Sequence, residues 1–195
     1  SGGPWISYKE AMRYVVVSEK ALKGPMEFKG ELDLPPVNAE KPHEYQDVKV
    51  LAYPAPEGSN DILKFDFADG FALPAGEAKT IVFENEGVKS MASVTITPSA
   101  TPLVAQAELY AVDGDTKTKL VAFEISRYNP EKSVGFIPYA PVTANFAPTA
   151  AKTFELVVKS DRAAALASVE ISGASKVAAV FDKTLAKMHQ TPQPY

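Results

Sequence analysis

Short runs in which apolar and polar residues alternate recur along most of the chain. They lie at residues 26–32, 48–53, 80–84, 93–97, 107–110, 121–125, 154–158 and 168–172. Period-two alternation places one set of side chains on the buried face of a strand and the other set in water, as in antiparallel sheets. Prolines cluster between these runs, and proline is largely confined to strand ends, edges and loops. The pattern predicts a mainly β protein.

Two segments carry a helical pattern instead. Residues 7–10 form a capping box followed by Ala11-Met12-Arg13, which predicts one or two helical turns. Ser175 is placed to cap a longer helix that ends near Met188. The apolar stripe of this second helix consists of Val177, Val180, Phe181, Leu185 and Met188.

These patterns together predict an antiparallel β-sandwich of nine or ten strands with a C-terminal α-helix. No strand–helix–strand rhythm appears, which disfavours a doubly wound α/β fold. We expect a lead-in over residues 1–20, the sandwich over 21–173, and the helix with a tail over 174–195.

Composition narrows the function classes. Among the 195 residues, 20 are basic and 24 acidic, giving a net charge of −4, which argues against a nucleic-acid partner. The chain has no cysteine and only two histidines, so thiolate chemistry and a three-histidine metal site are excluded. It contains no run of 18 apolar residues, so no membrane span is predicted. Residues 1–5 do not resemble a signal peptide.

Acidic residues at two places allow specific chemistry. Asp113 and Asp115 flank Gly114 between two strand patterns, which fits a calcium loop or a hairpin turn. We favour the turn, because no ligand series follows at EF-hand spacing, and we predict no resident cofactor. Two of the carboxylates of Asp61, Asp66 and Asp69 could serve as the acid and base of a glycosidase, yet an Asp beside a Gly is common turn chemistry. We therefore predict no catalytic residue in this chain.

Aromatic side chains offer a second kind of site. Tyrosine presents a flat apolar face with a polar end, which suits stacking on sugar rings. Tyr128 and Tyr139 are the best candidates, because both flank loop signals and binding residues favour loops. The alternative for each is packing in the core or at a sheet edge.

Two stretches resemble the galactose-binding-like jelly rolls. They are residues 107–116 (AELYAVDGDT) and residues 146–158 (FAPTAAKTFELVV) followed by 166–171 (LASVEI). The resemblance spans roughly residues 80–172 and implies a jelly-roll β-sandwich. That family often has arginine where Lys152 and Glu155 stand here, which weakens any transfer of its binding behaviour.

A second resemblance is to the family-106 glycoside hydrolases, the α-L-rhamnosidase family. It rests on SGGPWI at 1–6, AMR at 11–13, VSE at 17–19, GELDLPP at 30–36, DVKVLAYP at 47–54 and LAKMHQTP at 185–192. The resemblance implies a β-sandwich lodged within or beside a larger (β/α)8 catalytic barrel. The family's catalytic carboxylates match no position of this chain.

The sequence thus favours a non-catalytic accessory domain of a bacterial glycoside hydrolase, which supports the missing catalytic barrel or shapes its substrate cleft. One alternative is an autonomous carbohydrate-binding module that binds plant or pectic glycans. Another is a structural or adhesive surface domain. By the family resemblance alone, we expect the parent protein to be exported to the periplasm or cell surface.

Overall fold

The computed structural model describes residues 12–14, 17–35, 45, 48–99, 101–127, 139–178 and 185–187. The chain forms two compact units. The sandwich unit is Pro56–Phe181, and the flanking unit combines Ser1–Ala55 with Asp182–Tyr195. Along the chain, the sandwich unit is therefore inserted between the two parts of the flanking unit.

Eight strands in two four-stranded sheets make up the sandwich unit, and all their pairings are antiparallel. The first sheet has the order β2-β9-β4-β7, with β2 Ile62–Leu73, β9 Ala164–Ser172, β4 Ser90–Pro98 and β7 Val142–Ala150. The second has the order β3-β8-β5-β6, with β3 Ala78–Glu84, β8 Thr153–Ser160, β5 Leu103–Asp113 and β6 Thr116–Arg127. Consecutive strands alternate between the sheets except at the β5–β6 hairpin.

One hydrophobic core is shared by the inner faces of both sheets. The second sheet contributes Leu109, Phe154 and Leu156, all fully buried, and the first contributes side chains such as Ile96 and Ile171. Each fully buried side chain of this size contributes about 1.5–3 kcal/mol relative to exposure. The packing of the two sheets against each other therefore supplies the main stabilisation of the unit.

The prediction of a mainly β protein with antiparallel sheets is confirmed, and the predicted strands from residue 80 onward lie within β3, β4, β5, β6, β8 and β9. Strand β2 was missed because its acidic residues suggested turn chemistry. Its alternation is nevertheless clear, since Leu63 and Phe67 pack against the core while Lys64 and Asp66 are exposed.

The strands predicted at residues 26–32 and 48–53 are wrong, because the structure has no strand in either range. The short N-terminal helix is wrong at Met12 and Arg13, which belong to strand β1, Met12–Tyr14. Strand β1 pairs with β10, Leu185–Lys187, in antiparallel register. The predicted C-terminal helix is therefore wrong at residues 185–187.

Residues 175–178, where that helix was expected to begin, are not helical either. The Asn145 side chain donates to the Lys176 carbonyl at 2.7 Å and accepts from the Lys176 backbone N–H at 2.9 Å. The Ser93 hydroxyl donates to the Ala174 carbonyl at 2.8 Å. These bonds hold the backbone of residues 174–176 against side chains of β4 and β7 in a non-helical conformation. Residues 179–184 and 188 lie outside the described residues.

The two ends of the sandwich unit meet at a close backbone contact between Gly58 and Gly173. The Gly173 N–H donates to the Asp61 carbonyl at 2.8 Å, and the Asp61 N–H donates to the Gly58 carbonyl at 2.9 Å. A Cβ atom on Gly173 would lie 2.7 Å from the Gly58 carbonyl oxygen and 3.0 Å from that of Ser90. Only glycine fits this position without a backbone shift.

We predict that Gly173→Ala destabilises the sandwich unit by about 1–3 kcal/mol, because the added methyl group overlaps two backbone carbonyls. Urea unfolding followed by far-ultraviolet circular dichroism measures the change. The control is Ser175→Ala at an exposed position two residues on, which should change stability by less than about 0.5 kcal/mol. Equal stability of the two variants would contradict the prediction.

Candidate functional site

The Asp113–Thr116 segment forms the turn of the β5–β6 hairpin. Asp113 pairs with Thr116 across the two strands, which leaves Gly114 and Asp115 as the two turn residues. Gly114 has a φ of +57°, a backbone conformation that glycine adopts without steric penalty. Asp113 and Asp115 are both exposed. Within the described part of the chain, no cluster of three or more metal-ligating side chains occurs.

The carboxylates considered as an acid–base pair lie along the edge strand β2 and just before it. Asp61 pairs with Lys89 at 2.6 Å, and Asp66 pairs with Lys64 at 2.8 Å. The hydrogen bond to Asp66 raises the pKa of Lys64 above its ordinary value. Asp69 is exposed on the same strand. Asp61 and Asp66 are thus each engaged by a lysine.

The two candidate tyrosines differ in what the structure describes. Tyr139 is half-buried and has a φ of +58°, which is uncommon for a residue other than glycine. The next residue, Ala140, is buried, and its carbonyl accepts a hydrogen bond from Arg127 Nε at 3.0 Å. Tyr128 lies outside the described residues, and the role of either tyrosine in sugar binding stays a prediction.

A polar cluster that the sequence analysis missed lies on the outer face of the second sheet. We call it the Tyr110 cluster; its members are Tyr110, Glu108, Lys117, Lys119 and Glu155. Tyr110 lies between Glu155 on β8 and Lys119 on β6 in the strand register. The Lys117 and Lys119 ammonium groups lie 4.4 and 5.7 Å from the centre of its ring.

Each charged side chain of the Tyr110 cluster is hydrogen-bonded to a side chain of opposite charge. The Tyr110 hydroxyl donates to the Glu108 carboxylate, and Lys119 donates to the same carboxylate at 2.6 Å. Lys117 donates to Glu155 at 2.5 Å. The cluster thus combines ammonium donors and carboxylate acceptors around an aromatic ring, with each charge balanced by its neighbour.

This arrangement displays the groups that bind sugar hydroxyls, but Lys117 already lies over the tyrosine ring. Stacking of a sugar there would require the Lys117 side chain to move. The signal for the cluster was present in the sequence, because a two-residue turn at Gly114 and Asp115 places Tyr110 opposite Lys119.

The Tyr110 cluster lowers the pKa of Glu108 and raises the pKa of Lys119. Hydrogen bonds from Lys119 first, and then from Tyr110, hold the pKa of Glu108 below its ordinary value of 4.5. The bond to Glu108 raises the pKa of Lys119 above 10.5. Because the Glu108 value is depressed in the fold, its stabilising contribution is present above about pH 4.5 and is lost as the pH falls through the folded value.

Comparison with known proteins shows similarity to a much longer protein over part of this chain. No family model matches this chain. A putative beta-glucuronidase from Formosa agariphila is 43% identical over 67 residues, which are 34% of this chain and 6% of that protein. This chain therefore spans only a small part of the length of the curated relative it matches.

Two solved structures show weaker likenesses. A family GH115 4-O-methyl-alpha-glucuronidase with specificity for decorated arabinogalactans aligns at 17% identity with a TM-score of 0.36, covering 66% of this chain and 20% of that one. A structure of infectious bursal disease virus aligns at 15% identity with a TM-score of 0.26, covering 71% and 36%. Both scores are too low to establish a common fold.

The described residues include no helix that is both long and apolar enough to cross a membrane.

We predict that Glu108 titrates below 4.5 in the folded protein and that Lys119→Met moves its midpoint upward, because the main hydrogen-bond donor is removed. Carboxyl-detected NMR titration of the side chain measures both values. The matched control is Lys117→Met, which removes a lysine bonded to Glu155 and should move the midpoint less. A larger shift in the control would show that the Lys119 bond is not the main cause.

Proposed function

We propose that this chain is a non-catalytic accessory β-sandwich domain of a glycoside hydrolase, where it supports the catalytic domain or shapes its substrate cleft. The observation that carries the proposal is the 43% identity over 67 residues to a much longer protein named as a putative beta-glucuronidase. The shared stretch is 34% of this chain. The chain as a whole consists of one sandwich unit and its flanking unit.

We also propose that the sandwich unit is a jelly roll. Its eight strands form two sheets of four, and the chain moves from one sheet to the other at six of its seven connections. Jelly rolls are double sheets of eight strands built from two Greek keys. The observed orders, β2-β9-β4-β7 and β3-β8-β5-β6, support this arrangement.

The position of the sandwich within the chain supports an accessory role. Its first and last backbone segments meet at Gly58 and Gly173, and residues before and after it pair as β1 and β10. A domain whose two ends lie close together can be inserted into another domain, because the host chain enters and leaves it at nearly the same place.

The substrate class of the parent enzyme is the finer part of the proposal. The motifs quoted above favour an α-L-rhamnosidase of family 106, while the sequence relative is named for β-glucuronide hydrolysis. Both names describe glycosidases, and in either case we place the catalytic carboxylates in the parent's catalytic domain. We propose that the parent is exported, as the family resemblance implies.

We expect the isolated chain to hydrolyse neither aryl α-L-rhamnosides nor aryl β-D-glucuronides, and the longer parent protein to hydrolyse one of them. Chromogenic assays of both proteins at equal concentration test this. Turnover by the isolated chain would overturn the accessory role, and a parent inactive on a broad panel of aryl glycosides would overturn the glycosidase assignment.

A second candidate is an autonomous carbohydrate-binding module, favoured by the backbone of Tyr139. A non-glycine residue with positive φ stores about 1–3 kcal/mol of strain, and such positions cluster at functional sites. Tyr139 also adjoins Ala140, whose carbonyl is held by Arg127.

NMR titration with L-rhamnose, D-glucuronate and pectic oligosaccharides, with and without calcium, separates the two functions. If the domain is a scaffold, signals of Tyr128, Tyr139 and the Asp113–Asp115 turn should not move at millimolar sugar. Saturable shifts at either tyrosine would make the binding module the better description. Shifts caused by calcium alone at Asp113 and Asp115 would contradict their assignment to a simple turn.

A further inference from the structure

Exposed apolar side chains are concentrated in the flanking unit. Of the 15 large hydrophobic side chains that are exposed among the described residues, 10 lie between residues 17 and 53. They are Val17, Leu22, Met26, Phe28, Leu32, Leu34, Val48, Val50, Leu51 and Tyr53. A concentration of this kind marks an interaction surface more often than a solvated one.

Two parts of this region carry a strand pattern without forming a strand. Residues 26–34 place Met26, Phe28, Leu32 and Leu34 on one phase, with acidic and basic residues on the other. In residues 48–53, Val48 and Val50 lie on one phase and Leu51 and Tyr53 on the other, and all four side chains are exposed. Neither range has strand or helix in the structure.

Hydrogen bonds and a cation–π contact join separate segments of this region. The Ser18 hydroxyl donates to the Asp33 carbonyl at 2.5 Å, and the Tyr53 hydroxyl donates to Glu19 at 3.3 Å. The Lys20 ammonium group lies 5.2 Å from the centre of the Phe28 ring. These contacts fix the course of the segment while its apolar side chains stay exposed. The sequence pattern and the exposure together indicate a face that becomes buried against another surface.

We propose that residues 22–34 and 48–53 form a docking strap that packs its exposed apolar side chains against the catalytic domain of the same longer polypeptide. This inference rests on the proposed function. The occupant is chosen because the sequence relative is far longer than this chain, the 67 matched residues being 6% of its length. Extended segments dock by adding main-chain hydrogen bonds at a sheet edge, with alternate side chains entering pockets.

The strap's alternation defines which side chains face the partner. Phe28 and Leu32 lie on the apolar phase, and Lys29 lies between them on the polar phase. A charge on the apolar phase would have to be buried in the docked state, while a charge at position 29 would stay in water. We expect the isolated chain to tolerate a charge on either phase, because Phe28, Lys29 and Leu32 are all exposed there.

Hydrogen–deuterium exchange of the isolated 195-residue chain and of the longer parent protein tests the proposal. Strap peptides should exchange at least about tenfold more slowly in the parent, while peptides from β4 and β9 exchange alike in both proteins. Equal, fast exchange of the strap in both proteins would overturn the proposal. Slow exchange in the isolated chain together with a dimer by light scattering would also overturn it, because a second copy would then be the occupant.

Matched variants sharpen the test. In the parent, Phe28→Glu with Leu32→Glu should return strap exchange to within about twofold of the isolated chain, and the control Lys29→Glu should leave it slow. Equal effects of the two variants would overturn the assigned phase. The sandwich melting temperature of the isolated chain should not change in either variant. A protected strap in a parent without glycosidase activity would support docking and overturn the proposed function, so the two failures are distinguishable.

Discussion

The packing of two sheets against one core is the constraint on which the rest of the sandwich depends. Each sheet buries one face only, so neither is stable without the other. Inner positions must be apolar or, like Ser160, hydrogen-bonded, while outer positions are free to be polar. Strand β5 shows this most directly, because Leu103, Ala107 and Leu109 are fully buried and alternate with Gln106 and Glu108. The outer face of the second sheet is thereby free to carry the charge network around Tyr110, and the outer face of the first receives the backbone that leaves β9.

Most of the sandwich was predictable because its strands obey period-two alternation. The strands from β3 to β9 that were predicted have a buried phase of apolar residues, and one-sided burial is enough to impose that pattern. Strand β2 had the same pattern, but its aspartates suggested turn chemistry, whereas Asp66 lies within the strand and forms an ion pair with Lys64. Alternation was the stronger signal there.

The remaining errors have physical causes that local pattern does not contain. The apolar stripe from Val177 to Met188 is compatible with a helix, yet hydrogen bonds from Asn145, 31 residues away, fix the backbone at Lys176 in another conformation. Apolar and polar residues alternate in residues 26–34 as they do in a strand. Such alternation indicates that one side of the segment becomes buried, but it does not identify the surface against which that side packs. The Tyr110 cluster depends on the register between β5 and β6. The position of the hairpin turn sets that register, so the members of the cluster can be grouped only after the turn has been assigned.

The contact between the two ends of the sandwich has a mechanical consequence. Ile62 at the start of β2 pairs with Ser172 at the end of β9, so the chain enters and leaves at the same end of one strand pair. Tension applied through the flanks would pull these neighbouring strands apart one hydrogen bond at a time, instead of sliding them past each other against all their bonds at once. The domain therefore combines one shared hydrophobic core with low resistance to tension applied through its two ends.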